Sequence, residues 1–277
     1  MARELNEAPC QAAACKFCAP GQLKEDTIRL FGEAADGPDP AAAFCLIVPR
    51  TPLSDLHCVL YAPTIPQTDP PQHVSAMAAL EPAQREVYFA LVGYLLSNIS
   101  DAAREAKKAD HRVLWFSQPG YGSVEHAHDQ FVLIEEGPLE RILAEAGGKD
   151  GTPGDFEKHE RMSFGRFAGE IYPKIPADEQ GNKSYVMMFT YDGKRGLHVP
   201  CDTAHWFHTY RGDQDGRDQY LRKKIARATD KDWRLTSTKT EEQKQELTAQ
   251  TNATRKELAR RLTHGLAEIR EMFPGTI

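Results

Sequence analysis

One short stretch carries most of the chemistry in this sequence. It is Gly120-Tyr-Gly-Ser-Val-Glu-His126-Ala-His128-Asp-Gln130, running on into Phe131-Val-Leu-Ile134. The apolar run predicts a strand over Val124–Ile134, and on a strand alternate side chains share a face. His126, His128 and Gln130 then stand on one side and Asp129 on the other. Three polar side chains on one face each need a partner if buried, so the face reads as a site. The Gly/Ser turn ahead of it can bring backbone N–H groups close to an anion. A second group, Cys15-Lys-Phe-Cys18, has the two-residue gap of half a zinc site or of a redox pair. Alone it lacks two ligands.

The elements that must position these groups are short. Residues 43–49 and 57–62 read as strands closed by Pro, and a Pro-rich loop leads through Pro63, Pro66, Pro70 and Pro71 to His73. Pro82 opens a helix whose apolar positions Val87, Leu91, Tyr94, Leu95 and Ile99 recur at helical spacing, ending near Lys108. A strand at Val113–Phe116 precedes the Gly-rich turn, and a short helix over Pro138–Ala146 follows the His-bearing strand. The Gly-rich residues 147–155 are the best linker. Beyond it, Asp192-Gly193 between Tyr185–Tyr191 and Gly196–Pro200 signals a hairpin. Leu221–Arg227 reads as a short helix, with Arg222-Lys223-Lys224 as a solvated face. Thr240 with Gln243 three residues on reads as the N-cap of a long helix running to Phe273. Its stripe is Leu258, Leu262, Leu266, Ile269 and Phe273. No internal repeat is found.

Composition narrows the class. The chain has 277 residues, a net charge of −6 and 40% hydrophobic residues, enough for one large or two small domains. No apolar run approaches the ~18–20 residues that cross a bilayer, and the first residues carry mixed charge, unlike a secretory signal. An acidic balance opposes non-specific binding to long nucleic acids, while a local pocket for a small anion stays allowed. Six Cys without a disulfide pattern fit a reducing compartment, with Cys45 and Cys58 as small buried apolar residues. His198, His205 and His208 are weighed as a second metal cluster with Cys201 or Asp202 against plain packing, and packing is preferred. Trp206, Phe207, Tyr210 and Arg211 nearby could stack on a base and meet a phosphate.

Taken in order, Cys15-x-x-Cys18, a strand near His57–Tyr61, His73 before a helix, and His126-Ala-His128-Asp-Gln130 after a Gly/Ser turn resemble the histidine-triad (HIT) superfamily over roughly residues 10–136. Gln in third place resembles the branch of galactose-1-phosphate uridylyltransferase, the diadenosine tetraphosphate phosphorylases and the CwfJ-like splicing-associated proteins. Residues 185–234 are weakly similar to the last of these. The resemblance implies an α+β fold: an antiparallel sheet with helices on one face as a nucleotide-binding core (1–146). A C-terminal α+β extension with a long amphipathic helix (156–277) would follow.

It also implies roles. Cys15, Cys18, His73 and His126 would hold a structural zinc, with His57 and Cys10 as competing ligands. His128 would attack an α-phosphorus and form a covalent nucleotidyl-histidine. Ser117, Gln118, Gly122 and Ser123 would donate hydrogen bonds to the phosphoryl oxygens. Gln130, unable to supply a proton as a charged His would, favours good leaving groups, hence transfer or phosphorolysis. The expected function is therefore a nucleotidyltransferase or phosphorylase acting on a nucleoside polyphosphate or nucleotide sugar. Its alternatives are a zinc-stabilised module binding a nucleotide or RNA end without turnover, and a HIT-type hydrolase. The expected partner is a small nucleotide, with no membrane, in the cytoplasm, or in the nucleus under the CwfJ-like reading. Asp129 and Ser117 depart from the family, whose members carry an apolar residue or Pro, and Asn, at those places.

Overall fold

A computed structural model describes residues 27–29, 44–49, 52–61, 64–65, 72–73, 77, 80, 82–117, 126–147, 161–174, 187–200, 220–231 and 240–272. Two adjacent runs organise it. Val113-Leu-Trp-Phe116 and Phe131-Val-Leu-Ile134 are apolar at every position, so neither face of the strands they form can be left to water. They pair antiparallel at the centre of the sheet as β6 (His111–Ser117) and β7 (His128–Glu135), with Trp115 opposite Phe131 and Phe116 opposite Gln130. The strands preceding them in the chain are β1 (Thr27–Arg29), β2 (Cys45–Ile47) and β3 (His57–Tyr61), plus a separate two-stranded pair, β4 (Thr64–Ile65) and β5 (Gln72–His73). The later strands are β8 (Arg161–Met162), β9 (Met187–Tyr191) and β10 (Gly196–Pro200).

Among the described residues the main sheet has eight strands in the order β1-β2-β3-β7-β6-β9-β10-β8, and every pairing in it is antiparallel. The second half of the chain thus continues the sheet of the first, β9 lying directly against β6. The β9–β10 hairpin turns as its sequence signals. Asp192 Oδ1 accepts from the Lys194 and Arg195 amides at 2.9 and 2.8 Å, and Gly193 takes φ 95°, a region a side chain would resist.

Helices cover both faces, which corrects the expectation of helices on one. On one side lie α1 (Pro82–Glu105) and the long α5 (Glu241–Met272), packed on Cys58, Leu60, Val113, Trp115, Phe131, Leu133 and Phe189. On the other lie α2 (Glu136–Gly147) and α4 (Tyr220–Ala228), packed on Leu53, Leu114, Phe116, Val132, Ile134 and Met188. The physical reason is the one above: a strand buried at every position needs a layer on each side. The capping box of α5 forms as read, Thr240 Oγ1 accepting from the Gln243 amide and Gln243 Oε1 from that of Thr240. Leu258, Leu262 and Ile269 are buried on α1, where Tyr94 donates to the Arg261 carbonyl at 3.1 Å and Arg261 pairs with Glu105. Phe273 lies outside the described residues, as does the Leu266 side chain.

The first layer carries an aromatic cluster. The short α3 (Phe164–Arg166), capped by Ser163, leads into a π-helical turn at Phe167–Ile171 and a 3-10 turn at Tyr172–Lys174. Through them Phe164, Phe167 and Tyr172 close around Trp115, which stacks on Phe131 at 6.1 Å and on Tyr172 at 6.2 Å. The helix α4 departs from its expected reading in its charged run. Leu221, Ile225 and Ala226 are fully buried, and at 100° per residue Arg222 falls between the last two. Arg222 therefore borders the sheet-facing stripe and is part-buried, as Lys223 and Lys224 are. Among the described residues no helix is long and apolar enough to cross a membrane.

Candidate functional site

The register of β7 decides which groups meet. Tyr61 of β3 pairs with His128, Val59 with Gln130 and Leu60 with Asp129; from the other side Phe116 pairs with Gln130 and Ser117 with Asp129. His128 and Gln130 thus share the α2/α4 face with His57, Val59, Tyr61 and Phe116, as their spacing of two predicts. Asp129 and Ser117 point to the opposite layer.

The strand begins at His128, later than expected, and His126 sits in a bend just before it. His126 is therefore not the first of three aligned strand residues. It is buried, with its ring edge-on to Tyr61 at 5.7 Å. The bend gives its backbone another use: the His126 carbonyl returns to the ring of His128, 2.8 Å from Nδ1. A carbonyl oxygen only accepts, so His128 Nδ1 carries the proton and the lone pair of the neutral ring lies on Nε2. The half-buried His128 is held in the tautomer that presents a nucleophilic nitrogen.

Gln130 is oriented by a residue that the sequence offered only as a competing metal ligand. His57, fully buried, accepts the Leu53 amide N–H on Nδ1 at 3.0 Å, so its proton is on Nε2. Nε2 lies 3.2 Å from Gln130 Oε1 and donates to it. The amide oxygen is thereby committed to His57, and the Gln130 NH2 group is turned away from it as a donor. Burial, and then the positive charge of Arg222, hold the His57 pKa well below the usual imidazole value; the Gln130 contact works the other way. With both ring nitrogens engaged, His57 is no metal ligand in this arrangement. Its role was legible in one signal: on paired strands, alternate positions 57, 59 and 61 must face the same side as 128 and 130.

On the far face Asp129 has no solvent exposure. Its Oδ2 accepts from the Tyr88 hydroxyl of α1 and from Trp115 Nε1, the latter at 2.8 Å. Burial raises its pKa to about 6, against the opposing pull of Ser117, Tyr88 and Trp115. Asp129 Oδ1 and Ser117 Oγ are both buried and lack a hydrogen bond of normal geometry, although the strand register makes them neighbours. Ser117 shares the face of Asp129 and is not brought to His128.

The remaining expected site residues separate into two groups. His73 is in β5, opposite Thr64, with its side chain outside the described residues. Cys15, Cys18, Gln118, Gly122 and Ser123 lie outside them altogether, as do Cys10, Cys201, Asp202, His205, Trp206, Phe207, His208, Tyr210 and Arg211. His198 is placed in β10 opposite Phe189. Among the described residues no group of three or more His, Cys, Asp or Glu stands close enough to hold a metal ion.

The geometry offers an imidazole with its lone pair fixed on Nε2 and, two residues on, an amide donor with fixed orientation. Together they can attack an electrophilic centre and hold an oxygen on it without transferring a proton. No protein family's sequence profile matches the chain, and no curated protein matches it.

Proposed function

We propose that this protein is a nucleotidyltransferase or phosphorylase that forms a covalent nucleotidyl-histidine on His128, from a nucleoside polyphosphate or a nucleotide sugar. The observation that carries the reading is the 2.8 Å contact of His128 Nδ1 with the His126 carbonyl. A nucleophilic imidazole must keep its lone pair on the attacking nitrogen, and this contact sets the tautomer before any ligand arrives. In the step so proposed, Nε2 forms a bond to the α-phosphorus and the bond to the leaving oxygen breaks. The electron pair departs with a phosphate or phosphosugar group, which needs no proton at neutral pH.

Gln130 supports transfer over hydrolysis. Its NH2 group can hold an oxygen by a neutral hydrogen bond and has no proton to give up. Asp129, the departure that favoured a non-catalytic reading, stands on the other face of β7 and leaves the His128 side free of negative charge from that source. Cys15, Cys18, His73 and His126 remain the zinc set of this proposal. Two thiolates and two imidazoles are a closed tetrahedral donor set, and the buried His126 suits a ligand position. Zinc there would fix the chain entering β7, a structural service only.

The test is a panel of α-labelled nucleotides, quenched in alkali. Phosphorus on an imidazole nitrogen survives base and is lost in acid. Label with that behaviour, absent in His128→Ala, supports the proposal; tight binding without label across the panel replaces it with the non-catalytic module.

A further inference from the structure

Thr254 of α5 is buried and turns its hydroxyl away from its own helix, donating to the Asp55 carbonyl at 2.7 Å. A mid-helix Thr has a nearer acceptor in the carbonyl four residues back, and Thr248 of the same helix uses it, donating to Lys244 at 2.8 Å. Asp55 is the middle residue of Leu53–His57, a segment closed by the Leu53 amide donating to His57 Nδ1 at 3.0 Å. The second half of the chain reaches this segment twice. Thr229, just past α4, stands 3.3 Å from the Leu53 carbonyl, with a shorter contact of 2.8 Å to the Ile225 carbonyl. Thr254 is the firmer tie, one proton on one acceptor at a good distance.

The segment matters because it fixes a tautomer. A proton on His57 Nδ1 would meet the Leu53 N–H head on, so the ring keeps its proton on Nε2 and donates to Gln130 Oε1 at 3.2 Å. With the proton on Nδ1 instead, Nε2 would accept, and Gln130 would turn its amide over to give it the NH2 group. Oε1 would then take the place of the donor. A carbonyl oxygen repels a phosphoryl oxygen where an NH2 group binds it. The choice between the two states rests on where the Leu53 N–H points, and Thr254 holds the middle of that turn from α5.

We infer that Thr254 is a positioning residue for Gln130: by holding the Asp55 carbonyl it keeps the His57 tautomer that leaves the Gln130 NH2 group free for the ligand of His128. The inference rests on the nucleotidyl-transfer reading for what the amide does, and on the contacts above for how the amide is held. It ties the long C-terminal helix to the chemistry of the site.

The test is nitrogen NMR of the full chain carrying isotope-labelled histidine, in wild type, Thr254→Val, Thr254→Ser and Thr251→Val. The His57 signals are assigned by their loss in His57→Asn. Wild type should show Nε2 protonated and Nδ1 bare. Thr254→Val keeps the shape and removes the hydroxyl, so His57 should show both tautomers. Labelling of His128 at saturating nucleotide should slow about threefold or more, with the half-saturating concentration changed less than about twofold. Thr254→Ser keeps the hydroxyl and should restore both readouts. Thr251, about one turn earlier, is also buried, and its hydroxyl has no partner among the described residues. Thr251→Val is thus the same exchange with no bond to lose, and should leave both readouts unchanged. Thr254→Ala deletes the same hydroxyl and is read identically if the Val variant does not fold.

A single wild-type tautomer in Thr254→Val overturns the inference, whatever the labelling rate. An equal mixture in Thr251→Val overturns it too, since the effect is then one of helix packing, as do mixed tautomers with labelling at the wild-type rate. The two readings fail separately. No label on any variant, wild type included, removes the transfer reading while the ring signals still decide what Thr254 holds. Normal labelling with an unmoved tautomer removes only the role of Thr254.

Discussion

Replacing Asp129 by Asn should make the protein more stable at neutral pH, and the size of the effect follows from the carboxyl's surroundings. The group is wholly buried between β6, β7 and α1, and burial lifts its pKa from 3.8 to about 6 despite the hydrogen bonds that favour the anion. The native state therefore holds this proton more tightly than the unfolded chain does. Its contribution to stability is complete below about pH 3.8 and is lost as pH rises through about 6. The full loss is ~3 kcal/mol, at ~1.4 kcal/mol per pH unit. Asn carries no such proton. Its carbonyl can keep accepting from Tyr88 and Trp115 while its NH2 faces Ser117 Oγ, a buried oxygen that now lacks a good partner. The assay is urea unfolding of wild type and Asp129→Asn from about pH 4 to pH 8. All other titrations are shared and cancel in the difference. The difference, wild type minus variant, should fall by ~2.5 kcal/mol across that range, most steeply between about pH 4 and 6. A difference that stays flat within ~0.5 kcal/mol, or that rises with pH, refutes the assignment of a raised pKa to this carboxyl.

Other outcomes follow from the same contacts. Tyr88→Phe deletes a hydrogen bond that favours ionised Asp129, so it should cost ~1–3 kcal/mol near pH 8 and clearly less near pH 5. His57→Asn keeps an acceptor for the Leu53 amide and loses the donor to Gln130 Oε1; labelling of His128 should slow about five- to tenfold. In a His57→Asn, Gln130→Met double variant the two losses should not add, because one acts through the other. Purified protein should carry about one zinc per chain by metal analysis, and Cys18→Ala should lose it; a well-folded wild type without zinc ends that part of the proposal.

Regular elements were legible where one periodicity applied. Val87, Leu91, Leu95 and Ile99 at helical spacing are the buried side of α1, Asp192-Gly193 turns the hairpin, and Thr240 with Gln243 caps α5. The unbroken runs Val113–Phe116 and Phe131–Ile134 held a further message, since strands apolar at every position require helices on both faces. Ser117 was misplaced by order along the chain, because only the ladder with β7 shows that it shares a face with Asp129. His126 follows the period-two spacing in sequence but lies in a bend, where its carbonyl matters to His128 as much as its ring. Arg222-Lys223-Lys224 reads as one solvated run, yet all three are part-buried, with Arg222 beside the buried Leu221, Ile225 and Ala226. The His57–Gln130 contact joins residues 73 apart in sequence and depends on which strands pair.

The central claim is that His128 presents Nε2, with Nδ1 tied to the His126 carbonyl. The most direct test is to identify the nitrogen that bears the nucleotidyl group, by phosphorus NMR of the alkali-quenched adduct together with mass mapping of the labelled peptide. The account predicts attachment at Nε2 of His128 alone. Attachment at Nδ1, or at any other residue, contradicts it.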